Sequence, residues 1–209
     1  MNSIGILGGT FDPVHNGHLR IAIEVAEAFG FEEVRLIPLS TPHHRPPPSA
    51  SDVDREAMLN AAIEPPLVLD ACELEREGVS YTVDTLTALR DSRPDCTLNL
   101  ILGMDAFLGL PDWHQPDRVF ELANLIVVSR PGAKLKIDAR LEDLVAVRAT
   151  TDRTELKQAA CGRICFFEAP EFPISASDIR ARCAQGRSVR YLVPESVAEI
   201  IRQRGLYQA

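Results

Sequence analysis

Ile4-Gly-Ile-Leu-Gly-Gly-Thr-Phe-Asp-Pro-Val-His-Asn-Gly-His18 is the stretch that decides the fold. A short apolar run ends in Gly8-Gly9, and a helical pattern follows almost at once. Over residues 16–29 apolar side chains fall at 19, 22, 23, 26 and 29, a period of three to four. Gly30 supplies the expected helix stop. A buried strand that turns through glycines directly into a helix is the opening unit of a parallel α/β sheet.

The rest of the chain repeats that alternation. Strands are expected at 34–39, 67–72, 97–102, 125–129 and 164–167. Helices are expected near 52–63, 80–92, 116–123, 175–184 and 194–204. Ser51 and Asp54 form a start signal for the first of these, and Pro194 suits the first turn of the last. Residues 40–51 are rich in Pro and Ser and read as a loop. Residues 131–162 are polar and read as a mixture of loop and helix. The strands are nearly continuous apolar runs, as required when both faces are covered. The expectation is one α/β domain over 1–209, a Rossmann-like, mostly parallel sheet with helices on both faces. Ligands on such sheets bind beyond the carboxyl ends of the strands.

Composition sets outer limits. The 209 residues carry a formal net charge of -8, which argues against a nucleic-acid coat. Nineteen of the 22 basic residues are Arg, and no Lys precedes Lys134, which excludes a P-loop lysine near the first strand. Five Cys show no C-x-x-C spacing and read as small, mostly buried residues in a reducing compartment. No apolar stretch is long enough to span a bilayer, and the first residues do not read as a signal peptide. A cytoplasmic protein with no membrane partner is the expectation.

The first strand-to-helix junction carries the chemistry. Gly8 and Gly9 let backbone approach a ligand, and a helix N-terminus beginning near Asn16 favours an anion. His15 and His18, three apart, can face the same ligand from the first helical turn. On its own an H-x-x-H pair reads more readily as two surface histidines. The glycines, the strand before and the helix after make a phosphate site the better reading. The spacing is neither G-x-G-x-x-G nor G-K-[ST], so hydride cofactors and P-loop chemistry are disfavoured.

At these residues a family comes into view. Gly9-Thr-Phe-Asp-Pro-Val-His-Asn-Gly-His18 resembles the G-T-F-D-P-x-H-x-G-H signature of the nucleotidyltransferase superfamily. Within it, the leading Gly-Gly and His15 are similar to the bacterial nicotinate-nucleotide adenylyltransferases. Further segments match in order. Pro42-His-His-Arg45 resembles P-P-H-[KR], with His43 in place of Pro, and Arg55 with Met58 matches the R-x-x-M that follows. Ser80-Tyr-Thr-Val-Asp-Thr85 resembles S-Y-T-x-D-T; by itself this segment reads as helix capping by Ser80 or Thr82. Gly103-Met-Asp105 fits G-x-D, Leu110-Pro-Asp-Trp-His114 fits L-P-x-W-H, and Ser129-Arg-Pro-Gly132 fits [SNT]-R-P-G. Ile174-Ser-Ala-Ser-Asp-Ile-Arg180 resembles I-S-S-T-x-I-R, departing at Ala176 and Ser177. The resemblance covers essentially the whole chain.

The resemblance implies a nucleotidyltransferase-type fold in which residues 175–209 complete the phosphate site. It implies adenylyl transfer from ATP to nicotinate mononucleotide, with Mg²⁺ held mainly by the ATP phosphates and no metal site of protein ligands. His15, His18 and Arg180 would be catalytic. ATP would meet Gly8, Gly9, Thr10, Phe11, His15, His18, Arg45, Gly103, Asp105, Arg130, Ile174, Ser175, Ser177 and Arg180. The pyridine nucleotide would meet Thr10, Phe11, His44, Tyr81, Thr82, Trp113 and His114. Nicotinamide mononucleotide or phosphopantetheine as acceptor stays open, as does a non-catalytic nucleotide-binding regulator; a homo-oligomer stays open too.

Overall fold

The computed structural model describes residues 2–40, 47–129, 137–170 and 172–208. Six parallel strands form one sheet in the order β3-β2-β1-β4-β5-β6. They are β1 Asn2–Gly9, β2 Val34–Pro38, β3 Leu67–Leu69, β4 Cys96–Gly103, β5 Asn124–Ser129 and β6 Ile164–Glu168. Helices α1 Asn16–Phe29, α2 Asp52–Ala62 and α3 Thr82–Ser92 alternate with the first strands. After β4 come α4 Met104–Leu108, a 3₁₀ turn Leu110–Asp112 and α5 Pro116–Leu122. Next are α6 Ala139–Arg148 and α7 Glu155–Gln158, with α8 Ala176–Ala184 and α9 Glu195–Gln203 closing the chain. The mostly parallel, Rossmann-like sheet read from the sequence is therefore the fold.

Side chains alternate between two cores, one on each face of the sheet. Ile4 and Ile6 of β1, Leu98, Leu100 and Leu102 of β4, and Leu125 and Val127 of β5 pack with α3, α4 and α5. Ile101, Ile126, Val128 and Phe167 point the other way, into a core with α1, α2, α8 and α9. This period-two split is why the strands read as continuous apolar runs.

Several element ends differ from the expectation for identifiable reasons. β1 runs on through Gly8 and Gly9, because these residues still pair with Ile37 and Pro38. β3 stops at Leu69, where the Asp70 carboxylate turns back to accept the Cys72 amide at 3.1 Å and pairs with Arg35 at 2.7 Å. Neither Ser80 nor Thr82 caps α3: the N-cap is Tyr81, whose side chain makes no capping bond, and the Ser80 hydroxyl is engaged by Arg76 instead. Ser51 and Ser175 do cap, each accepting the amide three residues on. Gly30 closes α1 at φ 61, as a left-handed C-cap requires. Of the five Cys, only Cys96 and Cys165 are buried; the others are half-buried. No helix among the described residues is long and apolar enough to cross a membrane.

The order of strands places the site. After β1 the chain winds outward to β2 and β3, then crosses back to put β4 on the other side of β1. β1 and β4 therefore flank the point where the winding reverses, and their carboxyl ends, Gly8-Gly9 and Gly103, open a crevice there. At the opposite edge Asn124 is fully buried. Its side chain donates to the Asn99 oxygen at 3.3 Å and to the Ala159 carbonyl at 3.0 Å, and it accepts the Arg163 amide at 3.0 Å. Asn124→Ala leaves those buried groups without partners. It is expected to cost about 2 kcal/mol in urea unfolding while leaving nucleotide chemistry at the far edge unchanged.

Candidate functional site

The crevice at the reversal point holds a cavity of about 310 Å³. One wall is Gly8, Gly9 and Thr10 at the end of β1. The other is Tyr81, Thr82 and Thr85 from the start of α3, with Trp113 and His114 from the loop after the 3₁₀ turn. Its floor is apolar, formed by Ile6, Ile37, Leu86, Leu100 and Leu102. Trp113 is half-buried, and the His114 ring lies 4.3 Å from that of Tyr81, making an aromatic rim. Such a shape, apolar with a few polar groups, suits a small flat ligand. The Trp113–His114 loop is anchored from outside: Asp112 pairs with Arg140 of α6 at 2.8 Å. That contact gives part of the polar stretch 131–162, silent in the sequence, a structural task.

Beside the cavity stand the two histidines. Their rings stack at 3.7 Å between centroids and 18° apart, and Phe11 meets His18 edge-on at 5.0 Å. His15 caps α1: its Nδ1 accepts the His18 amide at 3.4 Å. In a neutral ring Nε2 then carries the proton and is a donor. Nδ1 of His18 is buried with no hydrogen-bond partner among the described residues. Burial lowers the His15 pKa to about 4; burial and then the neighbouring His15 lower that of His18 to about 3. Both imidazoles are thus neutral donors at pH 7, not the protonated pair a bound phosphate would favour. An incoming anion would raise both values again.

The N-terminus of α8 lies against that of α1. A Cβ at Gly17 would meet the His15 ring at 3.1 Å, a tight contact, and Ile174 at 3.8 Å, an ordinary one, so the two helix starts are close neighbours. Two helix starts therefore converge, and their partial positive ends add. Ser175 and Ser177 are exposed there. Arg180 donates to the Asp12 carbonyl at 2.6 Å and to the Ser177 hydroxyl at 3.3 Å, leaving other guanidinium N–H groups for a ligand. On the other side, Gly103 is exposed at the end of β4 and Asp105 sits, also exposed, in the first turn of α4, next to the cavity-lining Ala106.

Sequence reasoning and structure part company at a few positions. Phe11 is buried, so its ring supports His18 and any contact with a ligand falls to its backbone. His44, Arg45 and Arg130 lie outside the described residues. The motif match marks Arg55 without giving it a task, and the other supporting groups carry no sequence signal. Arg55 is fully buried and donates to the Thr10 carbonyl at 2.6 Å. Glu73, at the cavity wall, accepts the Thr85 hydroxyl at 2.7 Å, while Arg76 donates to Ser80 and Thr85. Burial raises the Glu73 carboxyl above its ordinary pKa. Asp12 gathers four donors from three parts of the chain. Little in the spacing of these residues announces what they hold, because their bonds span from 4 to 195 residues.

Comparison with known proteins agrees with this arrangement. The cytidylyltransferase-like family model matches residues 6–182. An Aeromonas salmonicida protein named "Probable nicotinate-nucleotide adenylyltransferase" is 45% identical over 208 residues, covering 99% of this chain and 97% of that protein. A Methylococcus capsulatus protein of the same name is 44% identical over 207 residues, covering 98% and 99%. Among solved structures, Plasmodium falciparum nicotinic acid mononucleotide adenylyltransferase complexed with NaAD shares the fold. Its TM-score is 0.73 at 18% identity, over 99% of this chain and 98% of that one.

The depressed histidine pKa values have a stability consequence. Unfolded histidine takes up a proton near pH 6.5, whereas the folded pair resists doing so until about 4 and about 3. The unfolded state therefore binds more protons in that window, and stability falls as the pH drops from 6.5 towards 4. Above 6.5 this penalty is absent. Urea unfolding between pH 4 and 7 is expected to show a steep acid loss that is shallower in His18→Gln.

Proposed function

The chain belongs to the nicotinate-nucleotide adenylyltransferases of the cytidylyltransferase-like family, and we propose that it joins nicotinate mononucleotide to the adenylyl group of ATP, giving nicotinate adenine dinucleotide and pyrophosphate. The observation that carries this reading is one loop that joins two features. Gly8-Gly9-Thr10 line the aromatic-rimmed cavity, and the same loop runs on through Phe11, whose ring meets His18, to the start of α1 and its stacked histidines. A pyridine nucleotide fits the first, and a triphosphate fits the second.

The chemistry needs no covalent enzyme intermediate. A phosphate oxygen of the mononucleotide, anionic at neutral pH, attacks the α-phosphorus. The bond to the β-phosphate oxygen breaks, and its electron pair leaves on pyrophosphate. No proton has to be removed from the nucleophile, so a strong general base is not required. Catalysis then rests on alignment and on stabilising charge as it spreads over the α-phosphate. Neutral His15, His18 as phosphate charge raises its affinity for a proton, and Arg180 supply donors. The starts of α1 and α8 add fixed dipoles. Magnesium is proposed to arrive on the triphosphate, as part of the substrate. Tyr81, Thr82, Trp113 and His114 are proposed to hold the pyridine ring, where an indole face suits a cationic ring. Asp105, beyond β4, is placed to accept hydroxyl or amine donors from the adenosine.

Two measurements of pyrophosphate release with MgATP test this. His18→Ala is expected to lower kcat roughly a hundredfold or more with ATP affinity changed far less; unchanged turnover refutes the assigned role. Trp113→Ala is expected to raise KM for nicotinate mononucleotide about tenfold, the scale of one lost stacking contact, with KM for ATP held. Turnover of wild-type protein with phosphopantetheine and not with the pyridine nucleotide would overturn the reading as a whole.

A further inference from the structure

The Asp12 side chain sits in the turn between β1 and α1, 3% exposed, with both oxygens engaged. Oδ2 accepts the Ser49 amide at 2.7 Å, and Oδ1 accepts the Ala50 amide at 3.0 Å. The third donor comes from the other end of the sequence: the Tyr207 hydroxyl donates to Oδ1 at 2.8 Å, across 195 residues. On the same residue, the backbone carbonyl accepts Arg180. One residue thus connects the lead-in to α2, the segment after α9, and the arginine of α8 to the loop that presents His15.

The segment bearing Tyr207 is built to aim it. Helix α9 ends with the Leu206 amide on the Ile201 carbonyl at 3.0 Å and the Gly205 amide on Arg202 at 3.4 Å, with Gly205 at φ 61. This paired pattern turns the chain sharply back on the helix. Leu206 and Tyr207 then pack against the core of that face. The helix is itself fastened to α2 by Arg204 on Asp54 at 2.6 Å and by the Ser196 hydroxyl on the Ala61 carbonyl at 2.6 Å. Those two bonds would suffice to dock α9. They do not explain a phenol hydroxyl, half-buried and directed onto the carboxylate of the site loop.

We propose that Tyr207 is a positioning residue for adenylyl transfer, acting through Asp12 to fix the loop that carries His15 and receives Arg180. Its hydroxyl touches no substrate. It holds the Asp12 carboxylate against the Ser49 and Ala50 amides, and so fixes the peptide whose carbonyl orients Arg180. A donor displaced by a fraction of an ångström loses its value at the transition state more than in ground-state binding.

The kinetic arm of the test rests on the function proposed above; a second arm does not. Tyr207→Phe removes only the hydroxyl and keeps the packed ring. It is expected to lower kcat about tenfold with KM for ATP and for the mononucleotide within twofold. Arg204→Ala, which loosens α9 at an exposed ion pair away from Asp12, is expected to leave kcat within twofold even where it lowers the unfolding midpoint more. In hydrogen exchange on the same proteins, Tyr207→Phe is expected to speed the Ser49 and Ala50 amides about tenfold while α3 amides are unchanged. Unchanged kcat in Tyr207→Phe, or an equal fall in Arg204→Ala, overturns the positioning role. Wild-type protein inactive with both substrates would defeat the functional reading, and the Ser49 and Ala50 exchange rates would still decide whether the latch exists.

Discussion

Everything at the site depends on β1 lying in the interior of the sheet with its winding reversed on either side. Parallel strands need right-handed crossovers, and a chain that winds out to β3 and returns to β4 leaves two loops with no crossover between them. The carboxyl ends of β1 and β4 thereby lie side by side at the cavity. β1 pairs with β2 at Gly5–Gly9 and with β4 at Asn2–Ile6, so its carboxyl end is held on the β2 side and parts from β4. Moving it by one residue would exchange its faces, sending Ile4 and Ile6 into the wrong core. The glycine turn, the helix start and the two stacked histidines are then placed by chain geometry before any ligand is considered.

Local signals were legible and distant ones were not. The strand–glycine–helix unit at residues 4–29 could be read because each of its parts is specified by neighbours in sequence. The same holds for Ser51 and Ser175, whose caps depend on an amide three residues away. Ser80 shows the limit: its sequence context favours a cap, but Arg76 and the network with Thr85 and Glu73 compete for the hydroxyl. The cavity residues Tyr81, Thr82, Trp113 and His114 came from motif resemblance, and the structure gathers them. The supporting residues Glu73, Arg140 and Tyr207 carried no readable signal, since each finds its partner across a turn or across the fold; Arg55 stood in a motif match, but its bond to the Thr10 carbonyl, 45 residues away, was not readable.

The abundance of arginine also becomes intelligible at particular positions. Arg90 at the end of α3 donates to the carbonyls of Cys96 at 2.6 Å, Leu122 at 2.8 Å and Ala160 at 3.1 Å. One planar fork with five donors closes three chain ends that a lysine could not reach together. Arg153 lies over the rings of Phe29 and Phe167, and Arg148 over Phe120. These are structural uses of a cation.

The bond between residues 12 and 207 also sets a schedule. The strands from β1 to β4 and their helices can pair while the chain is still being made, since their contacts are closer in sequence. The loop before α1 obtains its last hydrogen bond only once residue 207 has left the ribosome. At ordinary synthesis rates that is roughly 10 to 40 seconds after Asp12 emerges. The loop that bears the two histidines is therefore among the last parts to settle, and a nascent chain stalled before Tyr207 would carry the sheet with that loop still one tie short.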